Sequence, residues 1–238
     1  MKKENSALSE RDNFEVETAE DVEKVLEKVD SESRFRKLVG KWGMLVALVA
    51  IAMSCFHLYT SGFGTLMAMK QRSVHLAFLL TLTFLLYPAS KKRSPKGRPS
   101  IIDMGWLALS LISSLYIFFM FDAFSIRGTA ITLDIVMGTI LIVCVLEGAR
   151  RTVGKELTIL AIIFLLYGFF GEYIPGVLGH TGFRFQRIVY HLYLSSEGIF
   201  GIALGVSSTY IFLFILFGAF LSETGMGRFI KDLAMSLA

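Results

Sequence analysis

The sequence predicts an all-α polytopic membrane protein, with about six transmembrane helices, a short amphipathic helix in a cytoplasmic polar head, and one helix in the outer, periplasmic interface. Three observations predict it. The 238-residue chain is 54% hydrophobic and only 18% charged, where an ordinary soluble domain carries about a quarter charged residues. Its apolar residues gather into six runs, each near the ~20 residues that cross a bilayer. Its charges are unevenly spread: of 24 basic and 20 acidic residues, residues 1–40 hold eight and eleven. This balance excludes a soluble enzyme, a disordered chain and a disulfide scaffold.

The head, residues 1–40, is too polar and too long before the first apolar run to be a signal peptide. Within it Val22, Val25, Leu26 and Val29 recur at helical spacing, and Thr18 with Asp21 forms a capping-box pattern. A helix from Ala19 to about Arg36 follows, either docking a partner or simply solvated.

The apolar runs are Trp42–Tyr59, Val74–Tyr87, Ile101–Phe121, Ile131–Leu146, Leu157–Phe170 and Ile199–Leu221. The second is short, so Arg72 and Ser73 are expected to extend it as a snorkelling first turn. Pro88 ends it, and Lys91, Lys92, Arg93, Lys96 and Arg98 follow in one loop. Between two spans such a loop marks a cytoplasmic face, not a nucleic-acid patch. With the N-terminus inside, fourteen Lys and Arg fall on inside flanks and five outside, so both termini are expected in the cytoplasm.

Ser100 and Asp103 open the third span as a capping box. Asp134 lies one turn into the fourth. It reads either as a functional intramembrane acid or as a helix-start acid that reaches water. Glu147 precedes Arg150 and Arg151 by three and four residues, the spacing at which helical side chains meet. The three residues serve as an interfacial anchor or dock a neighbouring subunit. Gly/Pro punctuation at Gly171–Gly176 ends the fifth span. Phe183–Leu194 is too polar to cross and suits an interfacial helix with Tyr190 and Tyr193. Ser195–Gly198 looks like the N-cap of the sixth span, in which Gly201 and Gly205 form a GxxxG pattern for close helix packing.

His180 and His191 lack thiolate or carboxylate partners at ligand spacing, and no CxxC or HExxH exists, so no metal and no cofactor is expected. Cys55 and Cys144, both in apolar runs, read as small buried hydrophobes. His57 and His75 face each other across a short outer loop, as polar fillers or as a proton relay. No Walker A motif exists, and Ser207–Ser208 has no nearby membrane histidine in the linear sequence, so an enzyme is not expected.

An ordered set of segments carries a resemblance. They are Val74–Phe78, Phe84–Pro88, Val145–Arg151, Phe164–Gly176, and Glu197–Gly201 through Phe214–Leu221. Together, over about residues 20–238, they resemble the fused permeases of tripartite ATP-independent periplasmic (TRAP) transporters, in the branch served by TAXI-type binding proteins. The resemblance implies a small-subunit-like four-helix domain over 41–146 and the start of the large, DctM-type domain over 147–238. It also implies ion-coupled uptake, with Na⁺ as the coupling ion, at a bacterial cell membrane (the inner membrane of a Gram-negative cell). Its partners would be a periplasmic TAXI-type receptor, the rest of the large subunit and the bilayer, with no nucleic acid. Members of that family continue well past the position of Ala238, so the substrate and ion sites are expected beyond it and the chain alone is not expected to transport. Two function classes stay open: the scaffold half of a permease, or a non-transporting membrane assembly or anchoring protein.

Overall fold

A computed structural model describes residues 36, 38–90, 94, 95 and 97–237. The expected amphipathic helix at Ala19–Arg36, apart from Arg36 itself, and most of the basic loop at 91–96 lie outside the described residues. Among the described residues eight helical elements follow in order. They are α1 (Lys41–Phe63), α2 (Ala68–Leu86), α3 (Ile101–Arg127), α4 (Thr132–Thr152) and α5 (Lys155–Phe170), whose end tightens into a 3₁₀ turn at Gly171–Tyr173. Next come α6 (Phe185–Val189, continued by a π-helical turn Tyr190–Leu194), α7 (Ile202–Glu223) and α8 (Met226–Leu237). The protein is a multi-pass helical membrane protein: α1, α3, α4, α5 with its 3₁₀ turn, and α7 are long and apolar enough to cross a bilayer.

The sixth expected span, α2, is not among the helices long and apolar enough to cross, and it differs from its sequence reading. It starts at Ala68, ahead of the apolar run at Val74, because Gln71, Arg72 and Ser73 find partners inside the protein and Lys70 pairs with Asp122 at its surface. Arg72 does not snorkel: its guanidinium donates to the Phe200 carbonyl at 2.6 Å. Ser73 is buried and bonds back to Lys70 O. This helix is the centre of the bundle. Leu76, Leu80 and Phe84, four residues apart, form one buried stripe against Ile117 and Phe124 of α3 and Leu141 and Cys144 of α4. A helix surrounded by protein can hold polar groups that a lipid-facing one cannot.

Short connections make successive spans antiparallel. The α2–α3 and α4–α5 connections therefore share one end of the bundle, called here the basic end, and the α1–α2 and α3–α4 connections share the other. Gly128 stops α3 in the left-handed region (φ 68°), its N–H closing on Phe124 O at 2.8 Å. By contrast α5 and α7 expose long apolar faces, among them Ile159, Ile163, Phe164, Phe214 and Phe217, as surfaces facing lipid or other protein do. Cys55 is on such an exposed face and only Cys144 is buried, which corrects the reading of both as buried.

Two further expectations change. Tyr193 is not an interfacial aromatic: it is fully buried, and its hydroxyl donates to Ser113 O at 2.7 Å. Burial pushes its phenol pKa up, with Tyr116 and Asp134 adding to the effect, so the donor stays protonated. The contact exists because α4 has a glycine there: a β-carbon on Gly138 would stand 2.7 Å from Val189 and 2.8 Å from Tyr193. The sixth span begins at Ile202, not Ile199, because turns occupy 196–200 and Gly201 takes the cap position without a side-chain cap. Ser195 instead accepts the Glu197 N–H at 3.2 Å.

Candidate functional site

Among the described residues, polar side chains inside the bundle gather toward both ends. At the basic end Asp103 is 1% exposed and stands where four segments meet. One carboxylate oxygen accepts from Arg36 at 2.9 Å and from the Ser100 N–H at 3.0 Å. The other accepts from Arg151 at 2.7 Å and from the Ala89 N–H at 3.2 Å. The half of the capping box read from the sequence is there, with Asp103 reaching back to the Ser100 amide. What the sequence did not reveal is that the same carboxylate also ties the segment before α1, the α2–α3 loop and the end of α4.

Arg151 carries the group further. Its Nη1 donates to Asp103 and to Tyr87 O, and its Nε donates to Glu147 Oε1 at 2.7 Å. The guanidinium carbon lies 4.9 Å from the centre of the Phe84 ring. Glu147 also takes two bonds of 2.7 Å from Arg150, which donates to Ala89 O at 3.1 Å. The helical spacing of Glu147, Arg150 and Arg151 therefore does produce contact. The two arginines nevertheless differ: the Arg151 side chain is fully buried, and that of Arg150 is 34% exposed. Of the two, only Arg150 has side-chain surface left for another subunit.

Asp134 does not reach water, contrary to one of its two readings. It is fully buried, capping α4 through the Ile131 N–H at 2.9 Å, accepting the Tyr116 hydroxyl at 2.6 Å and pairing with Arg127. It joins α3 to α4 across their connection.

Toward the opposite end, His57 of α1 and His75 of α2 are each 1% exposed. His57 Nε2 and His75 Nδ1 lie 2.8 Å apart, and His75 Nε2 is 3.1 Å from Ser207 Oγ. A neutral imidazole donates from one nitrogen and accepts on the other, so the three groups form a single hydrogen-bonded chain across three helices. Ser207 opens a π-helical stretch, Ser207–Ile211, within α7. Extra residues in a helical turn rotate side chains off the regular face, a common device at functional positions. Ser208 and Thr209 bond back to Gly205 O, as hydroxyls in apolar helices do. Ser207 is the exception, because His75 is there. Gln71 donates to Thr60 at 3.1 Å, extending the polar contact between α1 and α2. The sequence pointed to the histidine pair but not to Ser207, because no Gly or Pro marks the π turn.

The other candidates fall apart from these groups. A β-carbon on Gly201 would meet its own chain, Gly198 O at 2.8 Å, while one on Gly205 would meet the Arg72 guanidinium at 2.7 Å. Gly205 thus makes room for a side chain of α2. His180 accepts the Gly182 N–H at 3.0 Å against Tyr167, and His191 is exposed. Among the described residues no three His, Cys, Asp or Glu side chains are placed to hold a metal ion.

Taken together, the fold and its buried polar ties define a multi-pass membrane protein of bundled helices. Residues 140–238 match the family model described as Tripartite ATP-independent periplasmic transporter, DctM component. The match begins within α4, slightly ahead of the junction expected at 147. No curated protein and no solved structure matches the chain.

Proposed function

We propose that this chain is the membrane permease component of a TRAP transporter, contributing the scaffold of an ion-coupled uptake system. The solute would come from a periplasmic TAXI-type binding protein, with Na⁺ as the coupling ion. The DctM match over residues 140–238 carries this reading. The ordered resemblance along the rest of the chain supports it, with 41–146 as the small-subunit-like part and 147–238 as the start of the large one. So does the use of the buried charges: Asp103 and Asp134 are both committed to arginine partners that fix helices to one another. Such ties suit a rigid scaffold against which another part moves. The fourteen-to-five basic bias supports both termini in the cytoplasm, which puts the Asp103 group inside and the histidine pair toward the periplasm.

Deletion of the coding sequence tests the reading. Accumulation of labelled organic acids that needs both a Na⁺ gradient and a TAXI-type receptor should be lost, and should return on complementation. Undiminished uptake in the deletion strain would overturn the proposal in favour of a non-transporting assembly role.

A further inference from the structure

At the basic end a cavity of about 530 Å³ opens beside the Asp103 group. The α2–α3 loop (Tyr87, Pro88, Ala89, Ser90), the end of α4 (Arg150, Arg151) and the start of α5 (Lys155, Glu156) line it. Three observations give it a preference for anions. First, Arg150, Arg151 and Lys155 line it beside Glu156; Glu147 and Asp103 already pair with the two arginines, so Lys155 supplies the unpaired cation. Second, Lys155 is exposed and takes part in no ion pair among the described residues, while the Arg150 side chain is part-exposed. Arg151, in the same wall, is buried, and its Nη2 has no hydrogen-bond partner. Third, α5 is a sixteen-residue helix that starts from Gly154 with no side-chain cap. The first N–H groups of a helix have no intrahelical acceptors and form the positive end of its dipole. Free N–H groups beside an arginine and a lysine are the usual cradle of a phosphate.

We propose that this cavity binds a phosphate group, held by Lys155, Arg150 and the N-terminal amides of α5. Its placement identifies the class of ligand. The cavity lies where α4 ends and α5 begins, two helices long and apolar enough to span a bilayer, so it lies at headgroup level. Below it α5 exposes Leu157, Leu160, Ile163 and Phe164, an apolar strip along which an acyl chain can lie. The phosphodiester of an anionic phospholipid fits both features. A free phosphate shares only the first.

Native mass spectrometry of the detergent-purified chain distinguishes the cases. The probes are phosphatidylglycerol, phosphatidylcholine and inorganic phosphate. The variants are Lys155→Glu, Arg150→Gln and, as a control at the far end, Arg184→Glu. Phosphatidylglycerol should stay bound to the parent protein and to Arg184→Glu. Lys155→Glu should weaken it roughly tenfold, the scale expected for reversing one cation at an anionic lipid surface. Arg150→Gln should act in the same direction but less. Phosphatidylcholine should bind all four proteins alike. Competition by millimolar inorganic phosphate would assign the site to a free phosphate, and its failure to compete would assign it to the lipid. Equal retention of phosphatidylglycerol by Lys155→Glu and the parent, or equal loss in Arg184→Glu, would overturn the site.

Discussion

Arg151 and Asp103, 48 residues apart in sequence, meet at 2.7 Å with both side chains fully buried. The pair closes α4 onto the start of α3. Each member is held by further bonds, Asp103 by Arg36 and two backbone amides, Arg151 by Glu147 and Tyr87 O.

Removing one member of such a pair leaves the other charge buried without compensation. Arg151→Ala and Asp103→Ala are each expected to cost about 3–5 kcal/mol. At about 2–4 °C per kcal/mol, the thermal midpoint of the purified protein should fall well outside error. Arg150→Ala removes a part-exposed pair within one helix and should cost less than about 1 kcal/mol. Equal midpoints for the Arg150 and Arg151 variants would contradict the buried assignment. Because of this asymmetry, only the Arg150 variant tests docking to another subunit without unfolding the end of α4.

The histidine chain predicts a non-additive pair. His75→Leu strands the His57 ring among apolar groups, and leaving a buried polar group unpaired costs about 1–3 kcal/mol. His57→Leu leaves His75 with Ser207 alone. Replacing both removes the need for a partner on either side, and the Ser207 hydroxyl can turn to its own helix. The double variant should therefore melt above the His75→Leu single variant. A midpoint equal to the sum of the two single losses would argue against the bond.

Gly138 predicts a steric effect with an internal control. Gly138→Leu pushes side-chain atoms into Val189 and Tyr193, and overpacking of this kind costs about 1–3 kcal/mol. It should also loosen α6, read as faster proteolysis between residues 174 and 201. Gly105→Leu on α3 meets nothing within 4 Å and should leave the midpoint and the digestion pattern unchanged.

Orientation is open to direct labelling. With Cys55 and Cys144 replaced by alanine, Lys96→Cys should react only with a membrane-permeant maleimide in intact cells. Thr181→Cys should react with an impermeant one. Labelling of both from one side would sink the proposed topology.

The sequence by itself determined that the chain is helical, where most helices lie and some of the residues that begin or end them. Those features depend on local physics: an apolar run of bilayer length, a capping acid three residues from its amide, Gly128 or Pro88 at a boundary. It also placed Glu147 against the two arginines, because three- and four-residue spacing is contact on any helix. Tertiary structure alone decided which polar groups face protein. Asp103 and Asp134 have almost the same local setting, an acid in the first turn of an apolar helix, and that setting is compatible with water. Only the arrival of Arg36, Arg151 and Arg127 from other parts of the chain made both positions dry. The same holds for α2. Its charged first turns look like an interfacial flank until α3 and α7 close around them and supply the Asp122 carboxylate, the Phe200 carbonyl before α7 and the Ser207 hydroxyl. Hydrophobic patterning shows how much of a helix can be buried. What Asp103 and Arg72 bond to depends on partners tens of residues away, and no local pattern in the sequence encodes them.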